Sequence, residues 1–417
     1  MSGDHVGSVT RRSAYWGLTV LMLINMVNYL DRFLVPALLQ SIKGSELQPS
    51  DFQLGMLGSG FILIYTLTAP VFGALGDRKS RPRWIAFGIF LWSAATALSG
   101  LARSYFTLLV SRALVGVGEA AYGTIAPSLL ADYFPKRSRG RAFAIFFCAI
   151  PVGSALGYVF GGLIDKHFGW RYAFFVGGIP GILLAALTLF LRDPPRGSGD
   201  DSSTERQSSV TKKDVVATYV GFLANRPYVL TVLGYAAYTF AVAGLAYWLP
   251  TFLERARGVS RESATVGFGA IIVVTGFIGT FVGGWWGDYW AKTSPHAYLR
   301  LSAWTMLAAA PFAALALIVP TPEIYYPAVV IAQLLAFMST GPINSAIVNY
   351  VSPGERASAV ALSVFSIHAL GDVWSPGIIG ALSDVGSLAH AVLLVPIVMA
   401  ICAAIWWKAA RAAERVA

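Results

Sequence analysis

Charged residues are scarce in this chain: Asp, Glu, Lys and Arg make up 12% of its 417 residues, whereas hydrophobic residues make up 56%. Soluble globular proteins carry about 25% charged residues, so this composition excludes that class. Cysteine occurs only at Cys148 and Cys402, both in apolar runs, which argues against a disulfide or metal site. Nucleotide-binding and metalloprotease motifs are also missing from the sequence. We therefore predict a membrane protein that is not an enzyme and needs no cofactor or metal.

Long apolar runs are what the chain has in abundance. Twelve of them could cross about 30 Å of hydrocarbon as helices. The predicted spans are residues 14–39, 52–76, 83–102, 105–131, 140–165, 169–191, 227–253, 263–287, 298–320, 324–349, 357–383 and 386–407. We predict an all-α membrane protein of twelve transmembrane helices.

A polar stretch over residues 192–214 divides the spans six and six, and its Gly- and Ser-rich part is typical of a flexible linker. The predicted domains are an N-terminal half (1–191), a cytoplasmic linker with a short surface helix (192–225) and a C-terminal half (226–417). The Gly-x-x-Gly-Asp pattern that ends at Asp77 recurs at Asp288. This echo predicts a duplicated six-helix unit, and an even number of spans gives both copies the same orientation.

The basic residues predict the orientation in the membrane. Most of the 31 Lys and Arg lie on one side if both termini are cytoplasmic, as the positive-inside rule requires. The net charge of +10 then indicates a basic face beside anionic lipid, with no nucleic-acid partner. The polar residues 1–13 carry no cleavage-type site, so we expect the first span to be retained. Short loops favour a bacterial inner membrane.

Four ionisable residues interrupt the apolar runs: Asp31 and Arg32 in the first span, Arg112 and Glu119 in the fourth. A charge at bilayer depth costs at least about 2.5–3.5 kcal/mol, so such residues usually line a wet cavity or pair with one another. Arg112 and Glu119 lie two turns apart on one helix face. If the first and fourth spans are neighbours, as the family resemblance described below implies, we expect an Asp31–Arg112 ion pair, with Arg32 facing a cavity and Glu119 deeper. The alternative is a fixed structural network.

The chemistry of these four side chains suggests separate roles. Guanidinium groups bind phosphate in a bidentate manner and stay charged, so Arg32 and Arg112 are predicted to bind an anionic substrate. Asp31 and Glu119 could exchange protons and are the predicted proton-coupling residues. Protonation of Asp31 would free Arg112 for an anionic headgroup.

The loop at residues 73–83 (Gly-Ala-Leu-Gly-Asp-Arg-Lys-Ser-Arg-Pro-Arg) closely resembles the signature loop of the major facilitator superfamily, with Ser80 where a glycine is usual. The resemblance extends over all twelve spans. It implies two halves that rock about a central site lined by spans one, four, seven and ten. We assign a gating role to Asp77, Arg78, Arg81 and, in the repeat, Asp288; the basic residues of the loop also fix topology.

Three further segments resemble the spinster-like branch of that superfamily: residues 28–32 (Asn-Tyr-Leu-Asp-Arg), the 112–122 segment from Arg112 to Tyr122, and residues 368–376 (His-Ala-Leu-Gly-Asp-Val-Trp-Ser-Pro). Members of this branch move sphingosine phosphate and lysophospholipids. The resemblance assigns a proton role to Asp31. His368 and Asp372 share a helix face, and the pair could relay protons or brace the helix; either role would bear on gating.

The second half lacks charge in spans seven to ten once the helix ends are left out, and it offers aromatic and amide groups instead. Aromatic residues at helical spacing more often serve packing. Even so, we predict that this half supplies an apolar wall opposite a cationic one, which suits an amphiphile. The predicted substrate-binding residues beside the two arginines are Asn28, Tyr122, Tyr235, Tyr238, Phe337 and Asn344.

The sequence thus predicts a proton-coupled or proton-gated secondary transporter of an amphipathic anion, a lysophospholipid or a sphingosine phosphate-like lipid. Its predicted partners are that lipid substrate, protons and the membrane, and it is predicted to be a monomer. One alternative is an exporter of hydrophilic organic anions or drugs with the same fold. A second is a non-transporting receptor or scramblase-like channel.

Overall fold

The computed structural model describes residues 10–198, 215–294, 296–352 and 355–414. These ranges contain helices and connecting turns and no β-strand. The helices are α1 (Arg11–Lys43), α2 (Asp51–Arg78), α3 (Arg81–Gly100), α4 (Tyr105–Tyr133), α5 (Lys136–Phe168), α6 (Trp170–Thr188), α7 (Val215–Ala224), α8 (Arg226–Arg257), α9 (Arg261–Ala291), α10 (Ala297–Ile318), α11 (Pro322–Phe337), α12 (Thr340–Asn349), α13 (Arg356–Ile367), α14 (Ser375–Val385), α15 (Leu388–Ala391) and α16 (Leu394–Glu414), with a π-helical segment at His368–Asp372.

The predicted all-α membrane architecture is confirmed. Eleven helical segments of the described chain are long and apolar enough to cross a membrane. The 20 residues of α3, which correspond to the third predicted span, are less apolar, but at 1.5 Å per residue they also reach about 30 Å. Local signals place the ends: Ser104 and Thr107 form a capping box at the start of α4, and Gly258 ends α8 at a φ of 65°.

Two predicted spans are interrupted. The tenth changes helix between Phe337 and Thr340, and the eleventh passes through the π-helical segment before α14 begins at Ser375. A proline follows each break, Pro342 and Pro376, and proline lacks the amide proton that a continuous helix requires.

The chain divides into two compact units. Unit 1 contains Met1–Leu47 and Gly60–Thr211, and unit 2 contains Gln48–Ser59 and Lys212–Ala417. The sequence assigned residues 48–59 to the first half, whereas the first turns of α2 belong to unit 2. Helix α7 covers residues 215–224 of the predicted surface helix, and residues 199–214 of the predicted linker lie outside the described part.

Unit 1 is held together by close helix crossings around a hydrophobic core. An added Cβ at Gly118 of α4 would lie 2.5 Å from the carbonyl oxygen of Gly88 of α3, so only glycine permits this approach. Trp92 and Tyr122 pack edge to face in the core beside this crossing. The close packing brings α3 and α4 near enough to α1 for their polar side chains to meet.

Two carboxylates, those of Asp51 and Asp384, hold the first turn of α2 in unit 2. Asp51 accepts hydrogen bonds from both Nη groups of Arg255, at 2.7 and 3.0 Å, and from the Ser383 hydroxyl. The carboxylate of Asp384 accepts from the backbone amides of Asp51 and Phe52, both at 2.8 Å. Asp384 thus satisfies amides that the start of a helix leaves without partners.

Candidate transport site

Asp31 of α1 and Arg112 of α4 form a buried pair in unit 1. The Nη1 of Arg112 lies 3.4 and 3.5 Å from the two carboxylate oxygens of Asp31, so this contact is long for a charge-assisted hydrogen bond. The hydroxyl of Thr96, on α3, donates a 2.8 Å hydrogen bond to Asp31 Oδ2. All three residues are buried. Thr96 therefore holds the carboxylate more tightly than the arginine does.

Arg32 and Glu119 form a second pair in unit 1. The Nε of Arg32 donates a 2.6 Å hydrogen bond to Glu119 Oε2, and the Glu119 side chain is fully buried whereas Arg32 keeps 20% of its surface exposed. Three rings surround the guanidinium, those of Tyr29, Phe61 and Tyr65, with centroids 4.9–5.3 Å from its Cζ. Cation–π attraction therefore supplements a single charged hydrogen bond.

Three buried atoms of this cluster lack hydrogen-bond partners within the described part of the chain. They are Nε of Arg112, Oε1 of Glu119 and the amide nitrogen of Asn28. Buried polar groups are almost always satisfied, and leaving one unsatisfied costs about 1–3 kcal/mol. The charge cluster, which we define as Asp31, Arg32, Arg112 and Glu119, thus has spare bonding capacity for an additional group.

The predicted pairing of Asp31 with Arg112 is confirmed. Arg32 additionally pairs with Glu119, a contact that the sequence did not predict, and the cavity that Arg32 is expected to face stays a prediction. Tyr122 packs in the core of unit 1, and its hydroxyl donates a 2.6 Å hydrogen bond to the Leu21 carbonyl. The substrate contact of Tyr122 stays a prediction.

Most of the neutral residues predicted in the second half come together in unit 2. The rings of Tyr235 and Tyr238 lie 5.8 Å apart. The Tyr238 hydroxyl is 3.2 Å from Thr340 Oγ1, and the amide nitrogen of Asn344 donates to the Tyr235 hydroxyl at 3.5 Å. We call Tyr235, Tyr238 and Asn344 together the phenol and amide group of unit 2.

Phe337 lies beside α9 in unit 2. It ends α11 before the interruption, and its Cβ would be 2.8 Å from a Cβ added at Gly279 of α9. The side chain therefore starts against α9. A Cβ added at Gly341, beyond the interruption, would lie 3.5 Å from the Gly284 Cα, so α11 and α12 turn the same side towards α9. The substrate contact of Phe337 stays a prediction.

His368 and Asp372 do contact one another. The Nδ1 of His368 lies 3.0 and 3.1 Å from the Asp372 carboxylate oxygens, within the π-helical segment. A π-helical turn inside an α-helix is often found at a functional site. The contact is compatible with bracing and with proton transfer, so the two readings of this pair stay open.

The predicted gating loop divides into buried and exposed parts. Arg81 is fully buried in unit 1 and bonds to Asp132 at 2.5 Å and to Asp193 at 2.7 Å. It is therefore a fixed internal link and cannot reach a partner outside that unit without breaking both pairs. Asp77 and Arg78 are exposed. Their counterpart in the repeat, Asp288, is also exposed and accepts a hydrogen bond from Tyr298.

Groups of three or more His, Cys, Asp or Glu side chains that could hold a metal ion do not occur among the described residues. Cys402 is buried and Cys148 is exposed, and neither is in a disulfide. Outside the spans, Glu46 pairs with Arg171. Hydrogen bonds from its own backbone amide and from Arg171 lower the pKa of the Glu46 carboxyl.

Comparisons with known proteins agree on the family. The family model of the Major Facilitator Superfamily matches residues 21–376. Protein spinster of Drosophila melanogaster is 33% identical over 89% of this chain, and the chain spans 62% of that protein's length. The sphingosine-1-phosphate transporter SPNS2 of Danio rerio is 34% identical over 91% of this chain and 78% of its own length.

Solved structures show the same fold. A bacterial homologue of the human lysosomal transporter spinster, in an inward-facing and unoccupied conformation, superposes with a TM-score of 0.86 at 24% identity and covers 97% of this chain and 98% of that chain. The D-xylose-proton symporter gives a TM-score of 0.73 at 16% identity, over 94% and 97%. This chain therefore belongs to the major facilitator superfamily of membrane transporters, in its spinster-like branch.

Proposed function

We propose that this chain is a proton-coupled secondary transporter of an amphipathic anion, a lysophospholipid or a sphingosine phosphate-like lipid, that works by alternating access. The observation that carries the proposal is the charge cluster: two buried ion pairs whose members retain unused hydrogen-bonding atoms. A network that served structure alone would have these atoms satisfied. Relatives named as sphingosine-1-phosphate transporters support a lipid phosphate as the cargo.

The arginines are the proposed headgroup site. Arg32 uses only Nε for a hydrogen bond to another described residue, and Arg112 makes only long contacts through Nη1. A phosphate could take up the remaining guanidinium donors in a bidentate manner. Asn28, on the same helix as Arg32, adds a buried amide nitrogen that has no hydrogen-bond partner among the described residues.

The carboxylates are the proposed proton sites. Oε1 of Glu119 is buried without a hydrogen-bond partner among the described atoms, so it can take up a proton without losing an existing hydrogen bond. Protonation of Glu119 would also weaken its hold on Arg32, and protonation of Asp31 would release Arg112. Proton binding and headgroup binding would then be linked through the same two ion pairs.

The remaining roles are part of the same proposal. Tyr235, Tyr238 and Asn344 are proposed to contact the less charged part of the cargo. Gating is proposed for a second set, which consists of Asp77, Arg78, Asp288, His368 and Asp372. The protein is proposed to act as a monomer in a bacterial inner membrane, with both termini in the cytoplasm and no nucleic-acid partner.

A transport assay in proteoliposomes tests the cargo. We expect wild-type protein to move labelled lysophospholipid, and Arg32→Ala to lose that activity because the headgroup loses a cation. The matched control is Arg171→Ala, which removes an arginine from an exposed ion pair of the same unit. Normal transport by Arg32→Ala would contradict the proposal.

Competition separates the lipid from other anions. We expect an unlabelled lysolipid to inhibit uptake, whereas small hydrophilic organic anions at the same concentration do not. The reverse order would favour an exporter of hydrophilic anions. Rates far above a conformational cycle, without counter-flow, would favour a channel.

The pH dependence of transport tests the proton role. Glu119→Gln keeps an oxygen that can accept from Arg32 but cannot exchange a proton, so we expect its transport to respond little to pH. The control is Glu46→Gln, because the lowered pKa of the Glu46 carboxyl keeps it ionised at neutral and mildly acidic pH. Unchanged pH dependence in both Glu119→Gln and Asp31→Asn would contradict proton coupling at this site.

A further inference from the structure

Phe61 of α2 lies beside both arginines of the charge cluster. Its ring centroid is 5.3 Å from Cζ of Arg32 and 5.6 Å from Cζ of Arg112. Tyr29 and Tyr65 approach Arg32, but among the described residues Phe61 alone has a ring within cation–π distance of both guanidinium groups. The side chain is 6% exposed and belongs to the core of unit 1.

The backbone fixes this ring in place. A Cβ added at Gly116 of α4 would lie 2.5 Å from the Phe61 carbonyl oxygen and 3.1 Å from the Tyr65 amide nitrogen. Gly116 therefore marks the point where α4 and α2 touch backbone to backbone. It lies one turn from Arg112 and nearly one turn from Glu119 on α4, so this crossing sets Phe61 at the height of the ion pairs.

Two like charges close together in a buried site repel one another, and each guanidinium here has few hydrogen bonds to balance that repulsion. The face of an aromatic ring carries negative charge from its quadrupole, and it attracts a cation without using a hydrogen-bond donor. A ring shared by two arginines can hold both in place and leave their N–H groups free. A carboxylate in the same position would occupy those groups.

We propose that Phe61 is a positioning residue for anion recognition: its ring holds the guanidinium groups of Arg32 and Arg112 for one phosphate-type headgroup while keeping their donors open. This inference rests on the proposed function, because the ligand that the two arginines bind is the anionic headgroup of the proposed cargo. The role requires the ring's electrostatic character as well as its bulk.

Fluorinated phenylalanines separate these two properties, because each added fluorine weakens the ring quadrupole while the shape changes little. We would place mono-, di- and trifluorophenylalanine at residue 61 and measure the apparent affinity for a labelled lysophospholipid. The matched control is the same series at Phe72, which is on the same helix, is also 6% exposed and packs against Trp84. Thermal unfolding without ligand is followed in parallel.

We expect the affinity to fall stepwise with fluorine number at residue 61, by on the order of 10-fold for the trifluoro ring, with little change in maximal rate. The unfolding temperature should fall in the same order, and neither quantity should follow the series at Phe72. A flat response of both quantities at residue 61, in protein that transports normally, would overturn the inference.

The two readouts also separate this inference from the proposed cargo. If wild-type protein moves no lysolipid but the unfolding temperature of the variants fluorinated at residue 61 still falls with fluorine number, the proposed function fails and the positioning role stands. If transport is normal and only Phe61→Leu is impaired, with no dependence on fluorination, Phe61 acts through its volume and the inference fails.

Discussion

The charge cluster of unit 1 and the phenol and amide group of unit 2 differ in charge and burial. Three members of the cluster are buried ions, and the fourth, Arg32, is 20% exposed. The residues of unit 2 that the sequence placed at the site are neutral, and Asn344 is exposed. The hydrogen bonds that join α8 to α12 through these residues are 3.2 and 3.5 Å long.

This difference implies different energies. Removal of one partner from a buried ion pair typically costs about 3–5 kcal/mol, because the other charge is left uncompensated. Loss of a neutral hydrogen bond costs only about 0.5–1.5 kcal/mol. Recognition of an anion should therefore depend mainly on unit 1, whereas unit 2 should adjust affinity by smaller amounts.

The largest effect is expected for Arg112→Ala. The change leaves Asp31 buried without its cation, so we expect about 3–5 kcal/mol lower stability and loss of lysolipid transport. Thermal unfolding and initial rates in proteoliposomes measure the two effects. Arg261→Ala, in a half-exposed pair with Glu254, should cost less than about 1 kcal/mol. Equal effects of the two substitutions would remove the contrast between buried and exposed pairs.

The next effect concerns the helix crossing under the cluster. Gly116→Ala adds a methyl group against the α2 backbone, and such overpacking costs about 1–3 kcal/mol. We expect reduced stability together with weaker substrate affinity, because Phe61 must move. At Gly284 of unit 2 an added Cβ would meet nothing within 4 Å, so Gly284→Ala is the matched control. An unchanged affinity in Gly116→Ala would show that the crossing does not position the site.

Thr96→Val tests the support of Asp31. The substitution keeps the side-chain shape but removes the hydroxyl that donates to the buried carboxylate, at a cost of about 1–3 kcal/mol. We expect the pH dependence of transport to shift because Asp31 loses a bond to its ionised form. Thr188→Val removes an equally buried hydroxyl that bonds only within its own helix. A shift of the same size in both variants would exclude a specific role for Thr96.

The smallest effect is expected in unit 2. Asn344→Ala removes a 3.5 Å hydrogen bond to the Tyr235 hydroxyl from an exposed position. We expect the apparent affinity for lysolipid to change by no more than about tenfold, with the pH dependence unchanged. Loss of transport as complete as in Arg112→Ala would reverse the proposed division between the units.

Hydropathy predicted the all-α membrane architecture, and the Asp31–Arg112 pair followed from charge and depth together with the family resemblance, which implies that spans one and four are neighbours. Helical spacing placed Arg112 and Glu119 on one face, and the cost of isolated charges in a membrane implied that they have partners. The pairing of Arg32 with Glu119 was not predicted, because periodicity gives the direction of a side chain on its own helix but not the neighbour it meets. The buried position of Tyr122 was missed for the same reason.

Contacts between helices account for the other omissions. Thr96 and Phe61 lie in apolar runs, where a lone threonine or phenylalanine gives no signal of function. Gly116 gave a partial signal, since a glycine beside charges predicts close approach but not which helix approaches. The break after Phe337 was signalled only by the nearby Pro342, which can also be accommodated in a continuous helix beyond its first turn with a kink.

Equilibrium binding of two lipids with the same tail, one with a phosphate and one with a hydroxyl in its place, tests most directly whether the charge cluster receives an anionic headgroup. Wild-type protein should prefer the phosphate lipid by at least about tenfold, and Arg32→Ala should bind both lipids with similar, weak affinity. Equal binding of the two lipids by wild-type protein, or an unchanged preference in Arg32→Ala, would contradict the account.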